Sequence, residues 1–384
     1  MRLLFMKHAL VWPRSSGHDV HTYYMMKACA ELGHEVGLAT AGDADPAAIA
    51  GLPLSARFAL DQTPPTTDPP LVAATSLQRK FQSYWGVPQR RVAALRTAAR
   101  EMAADAVIVV GLDALSYLPE LGGVARVWYA ADEWTLHHLS QVRAGSAALK
   151  DDLRAAVVKG LYERVHRGVV DRAWVVSERD RRAMRWVAGI ANVDVLPNGV
   201  DGAYFAPGPE AVEPNTAVFW GRLDFGPNIQ ALQWFCVNVW PKVRQQVPTG
   251  RFTIIGFQPT PEIRALAKID GITLAADLPD LRTSARRHAV TVLPFVSGAG
   301  IKNKLLEAAA MGMAILCTPK TATALRGTPP IVSASTPDQF AAALVALWKD
   351  DSRRRDIGRA ARAWVLEHHT WSSVAQEAMA GLTK

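Results

Sequence analysis

The stretch 292–319, VLPFVSGAGIKNKLLEAAAMGMAILCTP, constrains the fold more than any other part of the chain. An apolar run over 289–293 reads as a buried strand, Gly298 and Gly300 make a turn, residues 301–311 favour helix, and a second apolar run over 314–317 stops at Thr318-Pro319. Strand, glycine loop, helix and strand in that order form a βαβ unit. The loop then sits at a helix N-terminus, where unpaired N–H groups and the positive dipole end suit an anion. Lys302 and Lys304 add charge at the same place, and Glu307 lies one turn deeper in an otherwise small and apolar helix. Spacing alone leaves two readings open: a phosphate loop, or ordinary glycine punctuation before a helix with Lys304 and Glu307 on a solvated face.

The same alternation runs through the rest of the chain. Residues 2–6 read as a strand, a polar loop follows through Pro13, Ser15, Ser16 and Gly17, and a helix over about 20–32 leads to a strand at 35–39. This opening is of the doubly wound type, but its loop lacks the G-x-G-x-x-G pattern, so a dinucleotide cofactor is unsupported. Strands recur at 106–110, 126–130, 173–177 and 193–196; the longest intervening helix spans about 147–170, with Ser146 placed to cap it. Residues 197–214 then hold four prolines and three glycines, the texture of a linker. Beyond it strands restart at 217–220, 252–255 and 272–274, with helices over 228–247 and 261–269. Residues 338–382 read as two or three helices with no further strand, the last free to cross back onto the first domain. The expected class is α/β, with parallel sheets in two consecutive domains: residues 1–203 joined by 368–384, and residues 204–367. Two such domains facing each other enclose a cleft, which is a default ligand site.

Composition narrows the partners. A chain of 384 residues, 49% hydrophobic and 20% charged, has ample material for two cores. Its formal charge of +8 fits a protein that handles anions or touches an acidic membrane surface; no nucleic-acid motif accompanies it. Between 79 and 100, Arg79, Lys80, Arg90, Arg91, Arg96 and Arg100 are interleaved with Phe81, Tyr84 and Trp85. Peripheral contact with an acidic membrane is one reading of residues 79–100, and a solvated helix face with its aromatics in the core is the other. The three cysteines, Cys29, Cys236 and Cys317, are far apart and in apolar context, so they read as reduced core residues. The ten histidines show no metal-ligand spacing, and no metal is expected. No apolar run approaches the roughly 18 residues of a membrane span. The N-terminal MRLLFMKHALVW, interrupted by Lys7, reads as a first strand rather than a signal peptide. A cytoplasmic location, at most peripheral at the inner membrane face, is the expectation.

The second domain gathers one convergent set of groups. Gly221-Arg222 ends its first strand, Gly256 its second, and the Gly298–Gly300 loop with Lys302 and Lys304 follows its fourth. In an open α/β sheet that carboxyl edge is where ligands bind. Arginine, lysine and a helix N-terminus together argue for a diphosphate, and Glu307, an acceptor-only carboxylate, suits a sugar hydroxyl pair.

With those residues in place the sequence resembles the family 4 (group 1) glycosyltransferases of the GT-B type, whose two Rossmann-like domains face each other. The resemblance rests on Gly33-His34-Glu35-Val36, on Leu196-Pro197-Asn198-Gly199-Val200-Asp201, on Phe219-Trp220-Gly221-Arg222-Leu223-Asp224, and on residues 300–308. Pro227-Asn228, Trp234-Phe235 and Trp240-Pro241 are similar in wording to a bacterial branch that includes transferases of exopolysaccharide and exosortase-associated gene clusters. The resemblance implies transfer of a sugar from a UDP- or GDP-linked donor, with retention and without bound metal or cofactor, to a lipid-linked or glycan acceptor. It implies Arg222 as the pyrophosphate arginine, the backbone at Gly300 and Ile301 as the phosphate loop, and Glu307 as the ribose carboxylate. Gly17 and His18 fall at the family's glycine-rich loop, and Asp132 follows a strand on the acceptor side. Two departures stand out. Ala299 occupies the position of the family's second glutamate, and Pro227-Asn228 replaces a lysine whose charge Lys302 or Lys304 could supply. A non-catalytic partner subunit and a nucleotide-sugar epimerase, using His18 and Asp132 as acid and base, are the alternative readings.

Overall fold

The computed structural model describes residues 1–11, 17–131, 149–297, 301–323 and 325–383. Contacts divide the chain into two units, residues 1–197 with 372–384, and residues 198–371.

The first unit is built on seven strands: β1 (Arg2–Lys7), β2 (Glu35–Thr40), β3 (Ala56–Ala59), β4 (Ala106–Val110), β5 (Ala125–Ala131), β6 (Arg172–Val175) and β7 (Val193–Val195). All pairings are parallel, in the order β3-β2-β1-β4-β5-β6-β7. β4, AVIVV, is buried along its whole length, as a strand covered on both faces must be. The helices used below are α1 (Gly17–Glu31), α2 (Ser76–Tyr84), α3 (Gln89–Glu101), α4 (Leu149–His166) and α5 (Glu178–Ala183). Thr75 and Gln78 form a capping box at the start of α2, and Ser177 caps α5. α4 is shorter than its pattern suggested because the chain tightens into a 3₁₀ turn at Arg167–Val169. Its expected cap, Ser146, and the polar loop at 13–16 lie outside the described residues.

Most of the charge at 79–100 is used inside this unit. Arg79 pairs with Glu120 at 3.4 Å, and Arg90 and Arg91 both pair with Asp61, at 3.0 and 2.6 Å. Arg100 pairs with Asp68, and buried Arg96 donates to the Asp68 carbonyl at 2.8 Å. Phe81 is in the core. Four of the six cations are thus ion-paired with three carboxylates of this unit, while Lys80 is exposed and the segment stays net basic.

The second unit carries six parallel strands, β8 (Glu213–Arg222), β9 (Arg251–Phe257), β10 (Ile272–Ala276), β11 (His288–Leu293), β12 (Ala314–Cys317) and β13 (Val332–Ser333). Their order is β10-β9-β8-β11-β12-β13. Around them lie α6 (Gly226–Trp234), α7 (Asn303–Ala310), α8 (Pro337–Lys349) and α9 (Asp351–His368). The helix expected over 228–247 is interrupted. Pro241 has no N–H to donate and its ring crowds the preceding turn, so the chain widens at Phe235–Val239 before resuming at Trp240–Gln246. The Trp240 N–H reaches back to the Phe235 carbonyl, five residues away. The two-residue β13 was too short to show a period in the sequence. α10 (Trp371–Leu382) closes the chain; from residue 372 on it packs with the first unit, where Gly381 lies against Asp194 of β7. All three cysteines are buried and unpaired.

Candidate active site

In each unit the strand order reverses at one place, between β8 and β11 in the second and between β1 and β4 in the first. The crevice outside the carboxyl ends of two such strands is where doubly wound sheets hold ligands. The candidate residues collect at those two edges.

At the second unit's edge, β8 ends in Gly221-Arg222 and pairs with Gly256-Phe257 of β9. A Cβ on Gly256 would meet the Gly221 carbonyl oxygen at 1.9 Å, so only glycine lets these strands run together at this end. Gly221 adopts φ +148°, and a Cβ there would sit 3.0 Å from Lys304 Cε and 3.1 Å from Lys304 Nζ. The absent side chain of Gly221 is what makes room for the ammonium of Lys304. That ammonium donates to Asn228 Oδ1 at 3.1 Å and lies 5.2 and 5.0 Å from the ring centres of Phe219 and Phe295. Asn228, buried on the first turn of α6, donates in turn to the Arg222 carbonyl at 2.7 Å. Burial pushes the Lys304 pKa down to about 8, with attraction from Glu307 opposing the shift and repulsion from Lys302 adding to it.

Glu307 follows Lys304 by one turn of α7. The Trp220 indole N–H donates to its Oε2 at 2.6 Å. Burial raises its pKa, against the hydrogen bond from Trp220 and the charge of Lys304. Lys302 stands at the N-cap position of α7, without a side-chain capping bond, and holds its ammonium 5.4 Å from the Phe295 ring centre. Ile301 is buried ahead of it. The backbone leading out of β11 is fixed by Thr318, which donates to the Phe295 carbonyl at 2.6 Å, and by Thr321, which donates to the Leu293 carbonyl at 2.7 Å. Gly298, Ala299 and Gly300 lie outside the described residues.

Arg222 stands at the strand end, and its guanidinium makes a two-point ion pair with Asp224, Nε to Oδ1 at 3.0 Å and Nη2 to Oδ2 at 2.7 Å. The pair is about a third exposed. The hydrogen bond to Asp224 raises the arginine's pKa and lowers the carboxyl's. Along the same edge, Gln258 and Asp277 hold left-handed backbone, φ +55° and +56°, and the Asp277 N–H donates to the Gly256 carbonyl at 2.8 Å. Arg282 is tied to Asp280 and stacks on Tyr204, 3.6 Å from the ring centre.

The junction motif 196–201 has a structural use. Asn198 donates from Nδ2 to Asn303 Oδ1 on the first turn of α7. Its carbonyl accepts from His369 Nδ1 at 3.1 Å, while His369 Nε2 accepts from the Arg326 N–H at 3.0 Å. A backbone N–H can only donate, so Nε2 carries no proton and His369 is the neutral Nδ1–H tautomer. Burial pushes its pKa down to about 4.

At the first unit's edge, Gly17 begins α1 and half-buried His18 follows it beside Gly111, whose φ is +93°. Lys7 pairs with Asp19 at 2.8 Å, and His8 with Asp113 at 2.8 Å. Burial works against the Asp113 charge, but the hydrogen bond from His8 and the charges of His8 and Lys7 outweigh it and hold the carboxyl below its usual range. Asp132 lies outside the described residues.

The structure thus brings Arg222, Lys304 and Glu307 to one edge, with Ile301 and Lys302 beside them. Sequence reasoning missed Trp220, Asp224 and Asn228 there, and Lys7, His8 and Asp113 in the first unit. Trp220 and Asp224 stood inside the motif that named Arg222, yet nothing in one sequence says which neighbour a side chain will grip. Among the described residues, no group of three or more His, Cys, Asp or Glu is placed to hold a metal ion, and no helix is long and apolar enough to cross a membrane.

Comparison with solved structures gives matches along the whole chain at low identity. Sucrose-phosphate synthase from Thermosynechococcus elongatus is similar at 13% identity and TM-score 0.68, over 99% of this chain and 97% of that one. Anabaena HepE in complex with UDP and glucose matches at 14% identity and TM-score 0.65, over 100% and 99%. A mutant of S. aureus TarM, in a complex with Fondaparinux, alpha-GlcNAc-glycerol and UDP, matches at 9% and TM-score 0.67, over 100% of both chains. Likeness at this level shows a shared fold, the two parallel-sheet α/β units of the GT-B glycosyltransferases. Comparison with curated proteins gave no match. Residues 214–350, which carry Arg222, Lys304 and Glu307, match the family described as Glycosyl transferases group 1.

Proposed function

We propose that the protein is a retaining, metal-independent glycosyltransferase that moves a sugar from a UDP- or GDP-linked donor to a lipid-linked or glycan acceptor. The observation that carries this reading is the edge around Gly221, where Arg222, Lys304 and Glu307 meet at a strand-order reversal. The group 1 match over this unit supports it. So do the complexes of two neighbours, HepE with UDP and glucose and TarM with UDP.

In this reading the donor diphosphate lies against the N-terminus of α7, with Lys304 and Arg222 as its cations, and Glu307, oriented by Trp220, accepts from the ribose hydroxyls. Lys304 reaches Asn228, the position where the family's usual lysine is missing, and supplies a charge there. An acceptor hydroxyl oxygen forms its bond to the anomeric carbon and gives its proton to the departing phosphate oxygen. The bond from that carbon to the diphosphate breaks, with the electron pair staying on the phosphate oxygen. Catalysis is then mainly stabilisation of the departing diphosphate by charge already in place, plus orientation of the acceptor. Loss of one such contact costs on the order of 3–4 kcal/mol in the transition state.

The test is a panel of UDP- and GDP-sugars in a thermal-shift assay, followed by transfer assays with Arg222→Ala. A donor at about a hundred times its dissociation constant adds roughly 2.7 kcal/mol to stability. Arg222→Ala should keep its fold and lose about 10²–10³ in turnover. No shift with any nucleotide sugar, or near-normal turnover in the variant, contradicts the assignment.

A further inference from the structure

α4 carries apolar side chains on its outer side as well as its inner one, where Val158 and Val165 pack with Tyr162 against the core. The side packed into the first unit carries Tyr162, Glu163 and His166, each 0% exposed, whereas Leu153, Val157 and Leu161 are 44%, 71% and 47% exposed. At 100° per residue these three positions fall within about 80° of the helix surface. Exposed Lys150 and Arg164 fall within that arc and exposed Arg154 about 20° beyond it, whereas Asp151 and Glu163 each fall about 80° outside it.

The apolar stripe continues beyond the helix. Arg164 donates to the Val187 carbonyl at 3.1 Å, which fastens the C-terminal half of α4 to the turn Met184–Ala188. That turn carries Trp186, the most exposed large hydrophobic side chain among the described residues at 85%, beside exposed Arg185. On the other flank, a groove between α2 and α4 is lined by Leu77, Leu161, Arg164 and Arg167, among others.

We propose that this face of the first unit docks on an anionic lipid bilayer, with Leu153, Val157, Leu161 and Trp186 entering the headgroup boundary and the surrounding lysine and arginines meeting the phosphates. Charge complementarity selects the occupant. Apolar side chains interleaved with cations, without an opposing acid on the arc, are the pattern of an interfacial helix on an acidic surface. A solvent-exposed tryptophan next to arginine is the side chain that settles at a headgroup boundary. The inference does not rest on the transferase assignment, because neither donor nor acceptor enters it. The face is distinct from residues 79–100, where four of the six cations are ion-paired; here the cations border open apolar surface.

The experiment is flotation of the full chain with vesicles of phosphatidylglycerol and phosphatidylcholine, and with pure phosphatidylcholine, in the absence of nucleotide sugar. Binding to the anionic vesicles alone, weakened by salt, is expected. Each neutralised base should weaken it about five-fold, so Lys150→Gln/Arg154→Gln should lose about thirty-fold. Leu153→Glu/Val157→Glu and Trp186→Ala should each reduce binding while leaving the melting temperature unchanged, since all three positions are exposed. The proposal is overturned if the wild-type chain does not float, or if Leu153→Glu/Val157→Glu floats as well as wild type. It is equally overturned if these substitutions abolish a lipid-free dimer and leave vesicle binding intact, an outcome that assigns the face to a second copy.

Discussion

Lys304 gives the sharpest test of the donor site, because its charge is set by the pocket that holds it. Half-buried beside Gly221, with a hydrogen bond to Asn228, its ammonium has a pKa pushed down to about 8. The diphosphate of a nucleotide sugar is fully ionised between pH 7 and 9, so the charge that Lys304 meets is constant across that window. Contact with the diphosphate restores the ordinary lysine pKa or raises it further, and the bound form carries the proton throughout. The sign follows: a group whose pKa is higher in the complex than in the free protein favours binding fully below about pH 8 and loses that advantage as pH rises. In the free protein about 0.9 of Lys304 is protonated at pH 7 and about 0.1 at pH 9. Donor affinity should therefore fall about ten-fold between the two, about 1.4 kcal/mol. Titration calorimetry in two buffers of different ionisation enthalpy reads the proton directly, with uptake of about 0.1 at pH 7 and about 0.9 at pH 9. Lys304→Met should bind weakly at pH 7 and show no slope. Equal affinity at pH 7 and 9 without proton uptake, or the same slope in Lys304→Met, refutes the placement of this lysine on the diphosphate.

Three further outcomes follow from the geometry. Gly221→Ala puts a methyl about 3.0 Å from Lys304 Cε and strains φ +148°, so donor binding should weaken about ten-fold and denaturant melts should show about 1–2 kcal/mol lost; unchanged values in both would remove Gly221 from the argument. Asp224→Asn releases Arg222 from a pair that is about a third exposed, so donor affinity at low salt should rise by about 0.5–1 kcal/mol, and a fall would mean that Asp224 positions the arginine instead. His369 is held neutral with a pKa of about 4 against 6.5 unfolded, so its contribution is complete above about pH 6.5 and is lost as pH falls toward 4. Melts at pH 7 and 4 should differ by about 3 kcal/mol from this residue, and the difference should shrink in His369→Gln.

Most of the strand and helix order was legible because both sheets are parallel and buried, which makes each strand a short apolar run between turn residues. β4 and β12 were bounded to the residue on that basis. The places where the reading failed are those where one residue overrides a periodic pattern, as Pro241 does in widening the helix after Trp234. The site was legible in its charges and glycines and not in its pairings. Arg222 and Lys304 announced an anion, but that Asp224 holds the first and Gly221 shelters the second depends on strand ends brought together by the sheet. The same limit explains the basic stretch at 79–100. Composition showed its arginines, whereas their partners, Asp61, Asp68 and Glu120, come from other parts of the first unit.

α4 shows the converse case. Its sequence mixes leucine, valine, lysine and arginine on one side with valine, tyrosine, glutamate and histidine on the other, so hydrophobic periodicity identifies neither face as inward. Burial of Tyr162 and His166 settles the question: the Tyr162 hydroxyl donates to the Leu112 carbonyl at 3.0 Å, and His166 Nδ1 bonds the Tyr162 carbonyl at 2.7 Å. With that side anchored to the rest of the unit through the Tyr162 hydroxyl, Leu153, Val157 and Leu161 are left exposed. Three exposed branched aliphatics one turn apart among basic residues are more than scattered surface hydrophobics, which occur singly. A surface that the fold itself does not need is the one on which a partner has to act, and its charge says that the partner is anionic.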